Sequence, residues 1–204
     1  YADGTVVCQS VLLPRGNPLE LLRLGYEFQF PANLGNVAYY GRGPEENYAD
    51  RKSGMPLGVY KTTAKDSFFP YGRPQDCGNH EDTRWVAVTD DKGQGLLFGS
   101  LGTPFAFSAI PYTTTELILA NHPVELPKTT DRTVLVLSAA TRGLGGASCG
   151  PGPMSRDIIK ANKPYPMSFF IRPVTAKSYK GELRVPAAEL DMTMLTRTDK
   201  YAVK

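Results

Sequence analysis

The chain has 204 residues and is 41% hydrophobic, enough for one large domain with a full core and too apolar for general disorder. Its net charge of +3 is small and spread along the sequence, so no Lys/Arg cluster marks a nucleic-acid footprint, and no apolar run approaches bilayer length. Cys8, Cys77 and Cys149 lie far apart, which argues against a disulfide scaffold.

Thr5 to Leu13 reads as a strand, closed by a turn at Pro14, Gly16, Asn17 and Pro18. Leu22, Leu24, Tyr26, Phe28 and Phe30 alternate with Arg23, Gly25, Glu27 and Gln29, the clearest half-buried strand in the sequence. After a turn, Val37 to Tyr40 leads into Gly41-Arg-Gly-Pro-Glu-Glu-Asn-Tyr-Ala-Asp-Arg51. Here Arg42, Glu45, Glu46, Asp50 and Arg51 crowd two positive and three negative charges around Asn47 and Tyr48. Fork-shaped donors among carboxylates suggest an ordered, hydrogen-bonded corner, and a charged surface turn is the alternative reading of the same residues. Glu45, Asp50 and Arg51 are expected to form ion pairs, with Arg51→Ala costing on the order of 2–4 kcal/mol by stranding a partly buried carboxylate.

Lys52 to Gly58 is a loop, Val59 to Thr63 a strand, and Phe68 to His80 a long connection with aromatic anchors. Trp85 to Thr89 and Leu96 to Ser100 flank Asp90-Asp-Lys-Gly-Gln-Gly95 as a hairpin, and Phe105 to Ile110 adds a strand. Thr113 to His122 is the one helix, with Thr113 and Glu116 as a capping box and Pro123 as the stop. Thr133 to Ala139 lacks polar relief and reads as a buried central strand. Arg142 to Pro153 is a glycine-rich loop, and Met167 to Ile171 is a strand. Many short strands and one helix predict an all-β sandwich.

Two chemical motifs are weak in context. Gly146-Ala-Ser-Cys-Gly150 has the spacing of a nucleophile elbow, but Pro151 and Pro153 disfavour the helix that must follow, and both histidines precede Ser148. Cys77-x-x-His80 with His122 and Cys149 lacks the paired short spacings of a structural zinc site, so no metal is expected.

Gly41 to Arg51 resembles the Gly-x-Gly-Pro-x-Glu-Asn-Tyr-x-Asp-Arg signature of the C-terminal domain of bacterial family 2 β-galactosidases. Three further stretches follow in order. Phe69-Pro-Tyr-Gly-Arg-Pro-Gln-Asp-Cys-Gly-Asn-His-Glu-Asp-Thr-Arg-Trp85 resembles Pro-Tyr-x-x-Pro-Gln-Glu-x-Gly-Asn-x-x-x-x-Arg-Trp. Phe107-Ser-Ala-Ile-Pro-Tyr-Thr-Thr-Thr-Glu-Leu117 resembles Phe-Ser-Ala-x-Pro-Tyr-Thr-x-x-x-Leu, and Gly143-Leu-Gly-Gly146 resembles Gly-x-Gly-Gly. The matches span roughly residues 22–173.

The resemblance implies a large two-sheet antiparallel β-sandwich of the galactose mutarotase-like, supersandwich type. It implies a sandwich domain over residues 1–173 and a C-terminal extension over 174–204, a last strand plus a tail. It also implies that both catalytic glutamates lie in an upstream barrel, so this domain holds no catalytic residue and no cofactor. Its partners would be that barrel and a galactoside at the domain junction, with no nucleic acid and no membrane; a homo-oligomer of the whole enzyme is open. The missing initiator Met at Tyr1 reads as a fragment of a longer chain. The compartment stays open between bacterial cytoplasm and periplasm.

In the family, the segment after Gly-x-Gly-Gly reaches the sugar site, where many members place a Trp. The matching residues here are Ala147, Ser148, Cys149 and Gly150, so Ser148, Cys149 and Gly150 become the substrate-binding candidates without that ring. Arg42, Glu46, Asn47, Tyr48, Asp50 and Arg51 form the structural motif. Two rival readings use the same residues differently. A free-standing mutarotase would take His80 or His122 as general acid, and a carbohydrate-binding module would stack sugar on an exposed Tyr or Trp85.

Overall fold

The computed structural model describes residues 1–16, 21–128, 130–146 and 150–175. Ten strands form among these residues, all but the polar β5 from stretches that carry alternating or buried apolar side chains: β1 (Val6–Leu12), β2 (Arg23–Pro31), β3 (Asn36–Arg42), β4 (Leu57–Thr63), β5 (His80–Thr83), β6 (Trp85–Thr89), β7 (Gly95–Ser100), β8 (Phe105–Ile110), β9 (Arg132–Thr141) and β10 (Tyr165–Val174). Every strand pairing is antiparallel. One sheet has six strands in the order β1-β10-β7-β6-β3-β4, and the other has four in the order β2-β9-β8-β5.

The inner faces meet in one core, to which the six-stranded sheet gives Val37, Tyr39, Val86, Val88, Phe98 and Phe169 and the four-stranded sheet gives Phe105, Phe107, Leu135 and Leu137. The alternation of β2 places Tyr26, Phe28 and Phe30 on this interface, with the Phe28 ring 5.1 Å from Phe98 and 6.2 Å, edge-on, from Phe169. β9 is central, between β2 and β8, and its residues Thr133 to Ser138 are all buried. The fold is therefore an all-β sandwich with a single short α-helix among the described residues.

The outer face of the six-stranded sheet carries a second apolar cluster, in which Trp85, Leu97 and Phe170 are buried. It depends on Gly99: a Cβ there would lie 2.2 Å from the Phe170 ring. Arg84 and Arg172 place their guanidinium groups 5.7 Å from the Tyr40 centroid and 5.5 Å from that of Phe170. Trp85 is only 8% exposed, so it does not offer the free ring that a carbohydrate-binding module would need.

Most strand limits shift by one or two residues from the sequence reading, and three departures are larger. Helix α1 spans Thr114–Leu119, not residues up to His122. Thr113 caps it in a reciprocal capping box with Glu116, as expected. It stops early because Glu125 folds back to accept the Asn121 N–H at 2.9 Å and pair with His122 at 2.9 Å, and Pro123 opens a separate turn of 3-10 helix, Pro123–Glu125. β5, His80–Thr83, starts at the last residue of the long connection Phe68 to His80 and occupies a stretch before Trp85 to which the sequence assigns no strand. The last strand runs from Tyr165 to Val174, beyond Met167–Ile171 at both ends. Of the proposed extension, only residues 174 and 175 are among those described.

Candidate functional site

At the end of β3 the chain makes a cis Gly43–Pro44 peptide and buries Asn47 completely. The Asn47 side chain uses both its donors and its acceptor. Nδ2 donates to the carbonyls of Arg42 and Glu45, each at 3.0 Å, and Oδ1 accepts the Glu81 N–H at 2.8 Å. Its backbone exchanges two bonds with Asn79, each 2.7 Å long. Asn47 thus ties the loop after β3 to the start of β5.

Glu46 is the centre of a second group. Its carboxylate accepts from the Gly78 N–H at 2.8 Å, Arg51 Nη2 at 2.9 Å, the Tyr48 hydroxyl at 3.3 Å and the Tyr71 hydroxyl. Burial pushes the Glu46 carboxyl up, but the bonds from Tyr71, Gly78 and Arg51 outweigh it and hold the group below its ordinary value. Burial, then the neighbouring Glu46, raises the Tyr71 phenol to about 12. Tyr48 is 5% exposed, and its phenol is likewise raised, first by burial.

Arg42 lies across the sheet edge. Its Nε pairs with the Asp82 carboxylate, and Nη1 donates to the carbonyl of Met55 at 2.9 Å. Lys52 completes the group, 3.1 Å from Asp82 and 3.6 Å from Glu81. Burial would raise Asp82, but the bonds from Arg42 and Lys52 lower it overall.

The expected ion pairing takes a different form. Arg51 pairs with Glu46, not with Asp50 or Glu45, and stands 5.5 Å from the Tyr48 ring centroid. The reason is a tight turn in which Tyr48 and Arg51 exchange backbone bonds of 2.9 and 3.3 Å. Arg51 folds back onto Glu46, whereas Asp50 accepts from the glycine-rich loop, at 2.9 Å from the Leu144 N–H and 2.7 Å from that of Gly145. Burial would raise the Asp50 carboxyl, but these two amides leave it below its ordinary value.

This geometry revises the expected effect of Arg51→Ala. The Arg51 side chain is 54% exposed, and Glu46 keeps three other donors without it. Solvent screening of such a pair limits the loss to below about 1 kcal/mol. Chemical denaturation of the variant checks this, and a loss of several kcal/mol would mean that Arg51 carries the corner.

The loop after β9 is closed on itself: the Gly143 N–H donates to the Asp157 carbonyl and the Gly146 N–H to the Pro151 carbonyl, both at 2.7 Å. Gly145 has φ +60°, a conformation that favours glycine. Gly150 packs against Gly146, where a Cβ on Gly150 would meet the Gly146 Cα at 2.9 Å. Ser148 and Cys149 lie outside the described residues. Beside the loop base, Ala49, Thr141, Arg156, Asp157, Lys163 and Tyr165 line a pocket of about 330 Å³. None of these six was singled out by the sequence; Arg156, Lys163 and Tyr165 sit in a stretch with no strong local pattern.

The remaining candidates are placed apart. His80 is 4% exposed, its ring between Tyr39 and Phe107 with centroids at 4.4 and 5.2 Å. Its Nδ1 donates to the Arg42 carbonyl at 3.0 Å, and burial lowers its pKa to about 4. A ring enclosed on both faces is poorly placed as a general acid toward a free sugar. His122 is exposed and paired with Glu125. Cys77 is fully buried in an apolar cluster with Ile110, Leu117, Ala120 and Leu126, and burial raises its thiol to about 11. Among the described residues no three His, Cys, Asp or Glu side chains converge as metal ligands would.

The fold and the polar network together define an all-β sandwich domain whose loops after β3, before β5 and after β9 are joined at one end. The chain belongs to the family described as Beta galactosidase small chain, whose model matches residues 1–171. It is 35% identical over 175 residues to a beta-galactosidase of Priestia megaterium, a match that covers 85% of this chain and 17% of that protein. It is 43% identical to beta-galactosidase BgaC of Bifidobacterium adolescentis over 69% of this chain and 13% of the relative. A beta-galactosidase small subunit of Latilactobacillus sakei is 42% identical over 60% of this chain and 41% of its own length. The chain thus spans only 13–17% of the length of the first two relatives.

Proposed function

We propose that the chain is the non-catalytic sandwich domain of a β-galactosidase that hydrolyses terminal β-galactosides by a retaining double displacement. It packs on the upstream catalytic barrel and shapes the substrate cleft, with the glycine-rich loop and its Ser148, Cys149 and Gly150 facing the sugar. The observation that carries this reading is coverage: the chain accounts for 17% and 13% of two relatives named beta-galactosidase. The state of its carboxylates supports the same reading. A retaining glycosidase needs two carboxyl groups about 5 Å apart across a bound sugar, one of them protonated as the acid. Glu46, Asp50 and Asp82 are instead occupied by local donors and shifted toward the ionised form. Their chemistry is that of positioning, not of proton delivery.

The test is turnover of a chromogenic β-galactoside. The purified chain should give none, and mixing it with the remainder of its polypeptide should restore hydrolysis. Turnover that co-purifies with the chain alone would overturn the non-catalytic assignment.

A further inference from the structure

We propose that the pocket walled by the segment between β9 and β10 binds a small organic phosphate, a dianionic head group carried on a body about the size of a sugar. The lining divides by chemistry. Arg156, Lys160 and Lys163 set three cationic side chains against the single carboxylate of Asp157, a net charge of +2 on the lining. A phosphomonoester carries about 1.5 to 2 negative charges at pH 7. Ala49, Ala140, Ile158 and Ile159 supply an apolar wall. At about 330 Å³ the cavity falls within the range of small-molecule pockets, with room for a body beyond the phosphate group itself. A few polar groups set in an apolar lining is the usual make-up of such a pocket.

The chain is folded to bring the cations together. Between Lys160 and Lys163 the backbone reverses at Asn162, whose φ of 58° is a left-handed conformation in which Asn is enriched. The Asn162 N–H donates to the Pro14 carbonyl at 2.8 Å and holds this turn against the body. The Lys160 N–H donates to the Tyr165 hydroxyl at 2.7 Å, and that hydroxyl keeps its own proton to donate. Lys163 Nζ stands 5.2 Å from the Tyr165 ring centroid, which fixes its charge at the pocket wall. Asp157 is anchored through its backbone, accepting from the Gly143 N–H at 2.7 Å and donating to the Met154 carbonyl at 2.8 Å.

These cations are not used up by local carboxylates. Among the described residues Lys160 and Lys163 form no ion pair, and Arg156 meets Asp157 at 3.5 Å with its own side chain 76% exposed. The carboxylates nearest the base of the pocket have other donors. Asp50, next to Ala49, takes the Leu144 and Gly145 amides; Glu81, bonded to Thr141, has Lys52 at 3.6 Å. Positive charge therefore faces the cavity without a matching anion among the described residues.

The test titrates the 204-residue chain with glucose 6-phosphate by calorimetry at low salt, and amide NMR places the ligand. A Kd of about 1 mM or tighter is expected, with shifts at Arg156, Lys160, Lys163 and Tyr165 and none in the Asp90 to Gly95 turn. Inorganic phosphate, which lacks the body, should bind several-fold more weakly. Glucose, which lacks the charge, should give no measurable heat. Arg156→Gln and Lys163→Gln should each weaken glucose 6-phosphate binding about tenfold, the loss of one charge-assisted bond, whereas Lys163→Arg should keep most of the affinity. Arg156 and Lys163 are both exposed, so these substitutions leave the core intact. No saturable binding up to about 10 mM, or shifts that map to another part of the sandwich, would overturn the site. Wild-type affinity in the double variant Arg156→Gln with Lys163→Gln would overturn it as well. Inorganic phosphate binding as tightly as the ester would overturn the assignment to an organic phosphate.

Discussion

Replacing Asn47 by Ala should destabilise the chain by about 2–3 kcal/mol, the usual loss when a buried backbone donor is left without a partner. Asn47 is fully buried and makes three side-chain bonds. Of its partners, the Arg42 carbonyl keeps the bond from His80, and the Glu45 carbonyl belongs to an exposed residue that water can reach. The Glu81 N–H loses the side-chain acceptor that satisfies it in a buried site. The change also unties the loop after β3 from β5, so the two bonds between the Asn47 backbone and Asn79 lose their brace. Denaturant unfolding of the wild type and the variant measures the difference. A loss under about 0.5 kcal/mol, the range of ordinary surface substitutions, would show the corner to be solvated and locally independent.

The stability of the chain should fall by about 2 kcal/mol between pH 7 and pH 5 because of His80. Its ordinary value is 6.5, and burial lowers it to about 4 in the folded chain. Between those values the unfolded chain binds a proton that the folded chain does not, so stability falls as pH falls. The full stability is present above pH 6.5, and the loss levels off once the folded imidazole protonates near 4. The lowered carboxyls of Glu46, Asp50 and Asp82 act in the same direction but in a lower window. Their contribution is complete above their ordinary values of 4.5, 3.8 and 3.8 and is lost as pH falls through the folded values beneath those. The interval from pH 5 to pH 6.5 therefore isolates the histidine. Urea unfolding at pH 7 and pH 5 should show the drop in the wild type and not in His80→Gln. An equal drop in both proteins would assign the effect to other groups.

Much of the architecture was written in local pattern. The alternation of β2 announces a half-buried strand because side chains on a strand alternate between faces, and only one face of this strand meets the other sheet. The apolar run of β9 reads as central because a strand covered on both sides needs no polar face. The Asp90 to Gly95 turn is local too: the Asp90 carboxylate accepts from Lys92 and Gln94 without help from elsewhere. The same holds for the start of α1, where Thr113 and Glu116 satisfy each other. The motif after β3 could be read as an ordered polar corner because that density of donors and carboxylates is hard to leave unpaired.

What tertiary structure decided are the partners. β5, His-Glu-Asp-Thr, has no apolar alternation, so nothing local marks it as a strand. It is buried because Asn47, Thr141, Lys52 and Arg42, all distant in sequence, satisfy its polar groups. Neighbouring charges suggested that Asp50 and Arg51 act together, yet one tight turn separates them, sending Arg51 to Glu46 and Asp50 to amides ninety-odd residues away. Composition and spacing specify which residues need a partner. Which partner each one finds depends on loops that meet only when the two sheets close, and no periodicity in the chain encodes that meeting.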